Sequence, residues 1–90
     1  MIQIVLHNNE RTNAVDLYVS VQDNNQAGAP VILQNHRINV DATYQLEVQE
    51  DQNNSGNINW TATSTEDSSK SLQGGPVTVS SGDTVEVTSW

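Results

Sequence analysis

The chain has no cysteine and no phenylalanine, and against eleven acids it has only three basic residues, Arg11, Arg37 and Lys70. Each shortage closes a class of function. Without cysteine there is no disulfide framework, no thiolate nucleophile and no zinc–thiolate site. Small extracellular β domains commonly lean on disulfides, so their absence points to a reducing compartment, or to a bacterial or fungal source. With a formal net charge of −8, the chain lacks the clustered cations that displace counterions from phosphates. Nucleic acid is therefore not an expected partner, and anionic membrane surfaces would repel the chain. Its acidity fits solubility, cation binding or a basic protein partner.

Long apolar runs are missing too. None approaches the length of a membrane helix, so no transmembrane segment is expected. Met1-Ile2-Gln3-Ile4-Val5-Leu6 has neither the basic start nor the long apolar core of a secretory leader. The expected location is the cytoplasm, or outside the cell by a leaderless route.

What is present is short and alternating. Valine, isoleucine and leucine make up 21 of 90 residues, and 11 of those are valine. That share is low for a globular chain and only just above the disordered range. A disordered chain, however, has no reason to space its apolar residues by two. Tyr44-Gln45-Leu46-Glu47-Val48-Gln49 and Asn57-Ile58-Asn59-Trp60-Thr61-Ala62 each place every second side chain on an apolar face. Around the polar loop Glu50 to Gly56 they read as a half-buried hairpin.

The same style extends along the chain. Ile2 to His7 reads as a first strand with Ile2, Ile4 and Leu6 inward, and Asn8 to Asn13 as a turn. Val15, Leu17, Val19 and Val21 line a second strand. Asp23 to Ala29 is a loop, closed by Pro30 at a strand start. Val31-Ile32-Leu33 is a short strand, and Ile38 and Val40 extend another beyond Asn35-His36-Arg37. Thr63 to Gly75 is a polar stretch with Leu72 to tack it down. Val77 to Val79 and Val85 to Thr88 close the chain around Ser81-Gly82-Asp83. The prediction is an all-β fold, one domain over residues 1–90. It is an antiparallel β-sandwich, immunoglobulin-like or Greek-key, of about seven to eight short strands.

With so few aromatics, parity sorts them. Tyr44 and Trp60 share phase with aliphatics and are assigned to the core. Tyr18, beside Asp16 and Ser20, and Trp90, on the side of Glu86 and Thr88, fall out of phase and should face outward. An outward aromatic can stack on a sugar face or pack against another subunit. The predicted ligand-binding set is Trp90, Tyr18, Asp16 and Glu86, with Asp23, Asn24 and Asn25 from an amide-rich loop whose side chains suit sugar hydroxyls.

Asp51, Asn53, Ser55 and Asn57 place oxygens at alternate positions like the first half of a calcium loop. The pattern's closing acid is replaced by Ala62 and the flanks alternate as strands, so the helical calcium motif is rejected. A weak calcium site remains as an expectation, and no other cofactor is expected. His7 and His36 read as surface residues. No serine sits in a nucleophile elbow, and Glu50 and Asp51 occupy a loop tip poorly suited to tuning a pKa, so no enzyme is expected.

The succession Ile2-Gln3-Ile4-Val5-Leu6-His7-Asn8-Asn9, Val15-Asp16-Leu17-Tyr18-Val19, Tyr44-Gln45-Leu46-Glu47-Val48 and Gly56-Asn57-Ile58-Asn59-Trp60 resembles two families. One is the opening half of thaumatin-like proteins. The other is the small aegerolysin-type β-sandwich proteins of fungi and bacteria. The resemblance covers the first two-thirds of the chain and consists of pattern and one tryptophan. It implies a β-sandwich that binds glycans or membrane lipids at cell surfaces. Thaumatin-like proteins are longer and rich in disulfides, and aegerolysins are longer and richer in aromatics. No functional residue of either family carries over.

The function expected from the sequence is a non-enzymatic, lectin-like module for a glycan or cell-surface ligand. The alternatives are a homo-oligomer that associates through edge strands and Trp90, and an acidic accessory or inhibitor that engages a basic protein.

Overall fold

The computed structural model describes residues 1–10 and 14–88, so Trp90 lies outside the described residues. Seven strands and no helix occur among them. They are β1 (Ile2–Asn9), β2 (Leu17–Asp23), β3 (Val31–Ile38), β4 (Thr43–Val48), β5 (Gly56–Ser64), β6 (Ser71–Val79) and β7 (Thr84–Thr88). They form two sheets, of order β4-β1-β7 and β3-β2-β5-β6. The molecule is a β-sandwich, as the spacing of short alternating runs predicted.

The alternation is nearly unbroken where it counts. In β5, Ile58, Trp60 and Ala62 are buried while Asn57, Asn59, Thr61 and Thr63 are half-exposed. Ile4 and Leu6 of β1 meet Leu17, Val19 and Val21 of β2, Val48 of β4 and Val87 of β7 in one core, all fully buried. Each such side chain contributes about 1.5–3 kcal/mol through its removal from water. A core this rich in valine is shallow but continuous. Trp60, 8% exposed, is its largest member.

Several expectations are corrected. The predicted hairpin is not one: β4 pairs with β1, whereas β5 pairs with β2 and β6. Residues 49–55 cross from one sheet to the other. Alternation specifies which side of a strand is buried and leaves its pairing partner open, so the two strands looked adjacent. The sandwich is also not wholly antiparallel, because β7 lies parallel to β1, with Leu6 opposite Val85 and Asn8 opposite Val87.

Val31 to Ile38 forms one strand rather than two fragments. Its irregular middle is a bulge at Asn35, whose φ of 48° is accommodated opposite Ser20. The amide tolerates that left-handed conformation better than most side chains. Val40 takes no part in the strand and is 41% exposed. The polar stretch from Thr63 is largely strand, since β5 runs to Ser64 and β6 begins at Ser71, while Leu72 packs on the core as expected.

Asn8 and Asn9 belong to β1 rather than to a turn. The Asn8 side chain is fully buried. Its Nδ2 donates to the carbonyls of Val15 (3.1 Å) and Ile38 (2.9 Å), and its Oδ1 accepts from the Glu10 amide at 3.0 Å. One amide thus ties β1 to the entry of β2 and the end of β3. No helix among the described residues is long and apolar enough to cross a membrane.

Candidate functional site

The outward face of the four-stranded sheet is built by the residues that alternation leaves over. Register aligns them in rows across the strands. Arg37, Tyr18, Thr63 and Ser71 make one row. Ser20, Thr61 and Gln73 make the next, with Asn35 joined to Ser20 by a 2.9 Å bond from its backbone amide to Oγ. Gln22 and Asn59 make the third, with exposed Val31 at one end and Gly75 at the other. Strands lie about 4.8 Å apart, so neighbours within a row are close enough to act on one ligand.

Two depressions open on this face. One, of about 150 Å³, is lined by Ser20, Gln22, Val31, Asn59 and Thr61 together with Val21 and Trp60. The other, of about 300 Å³, is lined by Gln22, Asn59, Trp60, Thr61, Gln73 and the Gly74-Gly75-Pro76 segment. They share the β5 wall, so they form one shallow trough running across the sheet.

The trough's shape depends on its glycines. The register of β5 against β6 shifts between Ile58–Val77 and Trp60–Gly74, leaving Gly75 in a bulge at φ 107°. A β-carbon there would stand 2.6 Å from the Ile58 carbonyl oxygen and 2.7 Å from Asn59 Oδ1. Only glycine lets the edge strand close so tightly on Asn59.

Part of the face is held rigid and part is free. Gln22 Nε2 donates to the Ala29 carbonyl at 2.9 Å, and its Oε1 accepts from Asn59 Nδ2 at 3.3 Å. By contrast, Thr61, Thr63 and Gln73 have no side-chain hydrogen-bond partner among the described residues. Hydroxyls and an amide therefore point outward beside amides already fixed in place. Among the described residues, Tyr18, 39% exposed, is the outward aromatic of this face.

The predicted ligand residues separate into different places. Tyr18 is outward, as parity required. Asp16 is occupied. Its Oδ2 accepts from Arg37 Nε at 3.1 Å and from Arg37 Nη2, and its Oδ1 accepts from the Val40 amide at 2.8 Å. The guanidinium first, and the amide second, hold the Asp16 carboxyl below its usual pKa. Asp16 in turn raises the pKa of Arg37.

Glu86 lies on the opposite sheet, where its Oε2 is 2.6 Å from His7 Nδ1. His7 Nε2 reaches Asp41 Oδ1 at 2.8 Å. The Glu86 hydrogen bond is the leading cause of a raised His7 pKa, and that to Asp41 is the second. Glu86 and Tyr18 thus sit on opposite faces of the sandwich and cannot share a ligand. His36 is half-buried rather than a free surface residue. Its ring centroid is 4.2 Å from that of Tyr44, which is itself half-buried at the margin of the core.

The amide loop holds the fold. Asp23 is fully buried, which takes it out of any ligand surface. Its Oδ1 accepts from the Asn25 amide at 3.2 Å, and its Oδ2 accepts from Gln26 Nε2 (2.9 Å) and the Gln49 amide (2.8 Å). Asn24 Nδ2 donates to Asn57 Oδ1 at 2.8 Å. Asn25 Nδ2 bridges the carbonyls of Gln49 (2.9 Å) and Ser55 (3.0 Å), the two ends of the sheet-to-sheet crossover.

The oxygens considered for calcium are similarly engaged. Asp51 Oδ1 accepts from the amides of Asn53 (2.8 Å) and Ser55 (3.1 Å), an Asx turn within its own loop. Asn57 is turned to Asn24. Among the described residues, no group of three or more histidine or acidic side chains is placed to hold a metal ion.

Sequence reasoning missed Thr61, Thr63, Gln73 and Gln22 as candidates. For Gln22, Thr61 and Thr63 the signal was present in the outward parity of β2 and β5, whereas Gln73 lay in the stretch read as polar, and only pairing showed that they stand in adjacent rows. Compared with protein-family models, with characterised proteins and with solved structures, the chain matches none.

Proposed function

We propose that this protein is a non-enzymatic recognition module that binds a glycan on the outward face of its four-stranded sheet. The observation that carries this reading is the trough of Gln22, Asn59, Thr61 and Gln73 on the same sheet face as exposed Tyr18, which stands one row beyond it. A sugar presents alternating hydroxyls, which donate and accept, and apolar C–H patches. Amides and hydroxyls meet the first and an aromatic ring meets the second. The fixed amides lower the ordering cost of binding, because Gln22 and Asn59 are already held by bonds of their own. This moves the expected site away from the Asp23–Asn25 loop and keeps Tyr18.

The test is affinity electrophoresis through gels containing soluble polysaccharides, supported by a glycan array. Wild type is expected to be retarded by at least one polymer, and Tyr18→Ala to lose roughly tenfold or more in affinity. Glu47→Ala, on the opposite sheet, is expected to bind normally. Retention of full affinity by Tyr18→Ala, or absence of any binding by wild type, would remove this reading.

A further inference from the structure

Charge is partitioned between the two sheets. Of the chain's eleven acids, only Asp23 belongs to a strand of the four-stranded sheet, and it is fully buried. The other sheet carries Glu47 and Glu86 on its strands, with Asp41 joined to it through His7. In a chain of net charge −8, the trough is a field of uncharged donors and acceptors. Arg37 is the cation of this face among the described residues, and Asp16 already holds its guanidinium.

Resting on the glycan reading above, we propose that the ligand is an uncharged polysaccharide laid across the strands rather than along them. A uronate or sulfate ester is held most strongly by a charge-assisted bond to a free cation, and no cationic side chain lines the trough. Asp16 and Arg37 cancel each other at one end of the sheet, and the loop beyond Ser64 sets Glu66 and Asp67 against Lys70, so it adds net negative charge.

The direction follows from the rows. Ser20, Thr61 and Gln73 step from β2 to β5 to β6 with one polar group per strand. The trough runs the same way, from Val31 to Pro76. Along a strand, every second residue is turned inward, so polar groups recur only about every 6.6 Å. Across strands they recur about every 4.8 Å, close to the length of one pyranose ring. Four strands span about 14 Å, which accommodates about three sugar rings.

The decisive experiment is titration calorimetry at about 0.15 M salt, where distant charges are screened. The probes are hydroxyethylcellulose and carboxymethylcellulose, a ladder of neutral β-linked gluco-oligosaccharides, a matching mannan ladder, and the same ladders of polygalacturonate. Neutral polymers are expected to bind at least tenfold more tightly than carboxylated ones. Affinity is expected to rise to about three or four rings and then level. Thr61→Ala and Gln73→Ala are each expected to weaken binding about fivefold to tenfold, with unchanged unfolding midpoints.

Tighter binding of the carboxylated polymers, or a disaccharide as tight as a tetrasaccharide, would overturn the proposal and leave the glycan reading standing. Binding untouched by Thr61→Ala and Gln73→Ala would overturn it as well, by placing the ligand elsewhere. Absence of binding across every neutral and acidic probe would sink the glycan reading and this proposal with it.

Discussion

Trp60 lies directly against the backbone of Gly74, its cross-strand partner. A β-carbon on Gly74 would stand 2.1 Å from the indole Cε2 and 2.3 Å from Nε1. The largest core side chain is therefore seated only because the strand beside it has no side chain at that point. The same glycine pair shapes the trough on the reverse side, so core packing and the candidate site are joined at one bulge.

Gly74→Ala is accordingly expected to destabilise the fold by about 1–3 kcal/mol, because the indole or the edge strand must shift. Urea unfolding followed by far-ultraviolet circular dichroism measures this. A midpoint equal to wild type would mean that the indole has room to move.

Asn8→Ala removes three hydrogen bonds from a fully buried amide. The carbonyls of Val15 and Ile38 and the Glu10 amide would lose their partner. An unsatisfied buried group costs about 1–3 kcal/mol, so the expected loss is about 3 kcal/mol in total. Asn8→Asp, which keeps the acceptor and loses the donor, is expected to be nearly as damaging. If Asn8→Asp unfolds at the wild-type urea midpoint, the donor bonds contribute little.

Asp23→Ala tests the crossover between the sheets. It frees the Gln49 amide, the Asn25 amide and the Gln26 side chain from a buried carboxylate. Bonds to a charged acceptor contribute about 1.5–3 kcal/mol each and are not additive, so a loss of about 3 kcal/mol is expected. Hydrogen exchange should accelerate most at Gln49 and Asn25. Uniform acceleration across all strands would show that Asp23 has no local role.

His7 makes stability depend on pH in a defined direction. The unfolded ring titrates near 6.5, and Glu86 foremost, then Asp41, raise the folded value. The protonated ring is the form favoured by folding. Its contribution is complete below about pH 6.5 and is lost as pH rises through the higher folded value. Urea midpoints at about pH 5.5 and about pH 8.5 should differ more for wild type than for His7→Gln. The difference should shrink in high salt, because Asp41 and Glu86 are exposed. Equal pH dependence in both proteins would show that the bridge contributes nothing.

Much of the fold was legible in the residues. A period of two in runs such as Ile2-x-Ile4-x-Leu6 and Ile58-x-Trp60-x-Ala62 determined strands, their buried faces, Trp60 in the core and Tyr18 outside it. The scarcity of cations and the absence of cysteine limited the chemistry. Partnership was not legible, because alternation constrains each strand alone. Whether β4 pairs with β5 or with β1, and whether β7 runs parallel to β1, depends on contacts between residues far apart in the chain. Nor could composition separate an amide that binds from one that holds the fold. Asp23, Asn24 and Asn25 looked available as a polar loop, yet Asp23 and Asn25 pin the crossover and Asn24 is bonded to Asn57 of β5. Thr61 and Gln73 were unremarkable in sequence and became a site only when tertiary pairing placed them in one row with Ser20. A strand's faces follow from local steric alternation, while its neighbours follow from the global burial of a shared core.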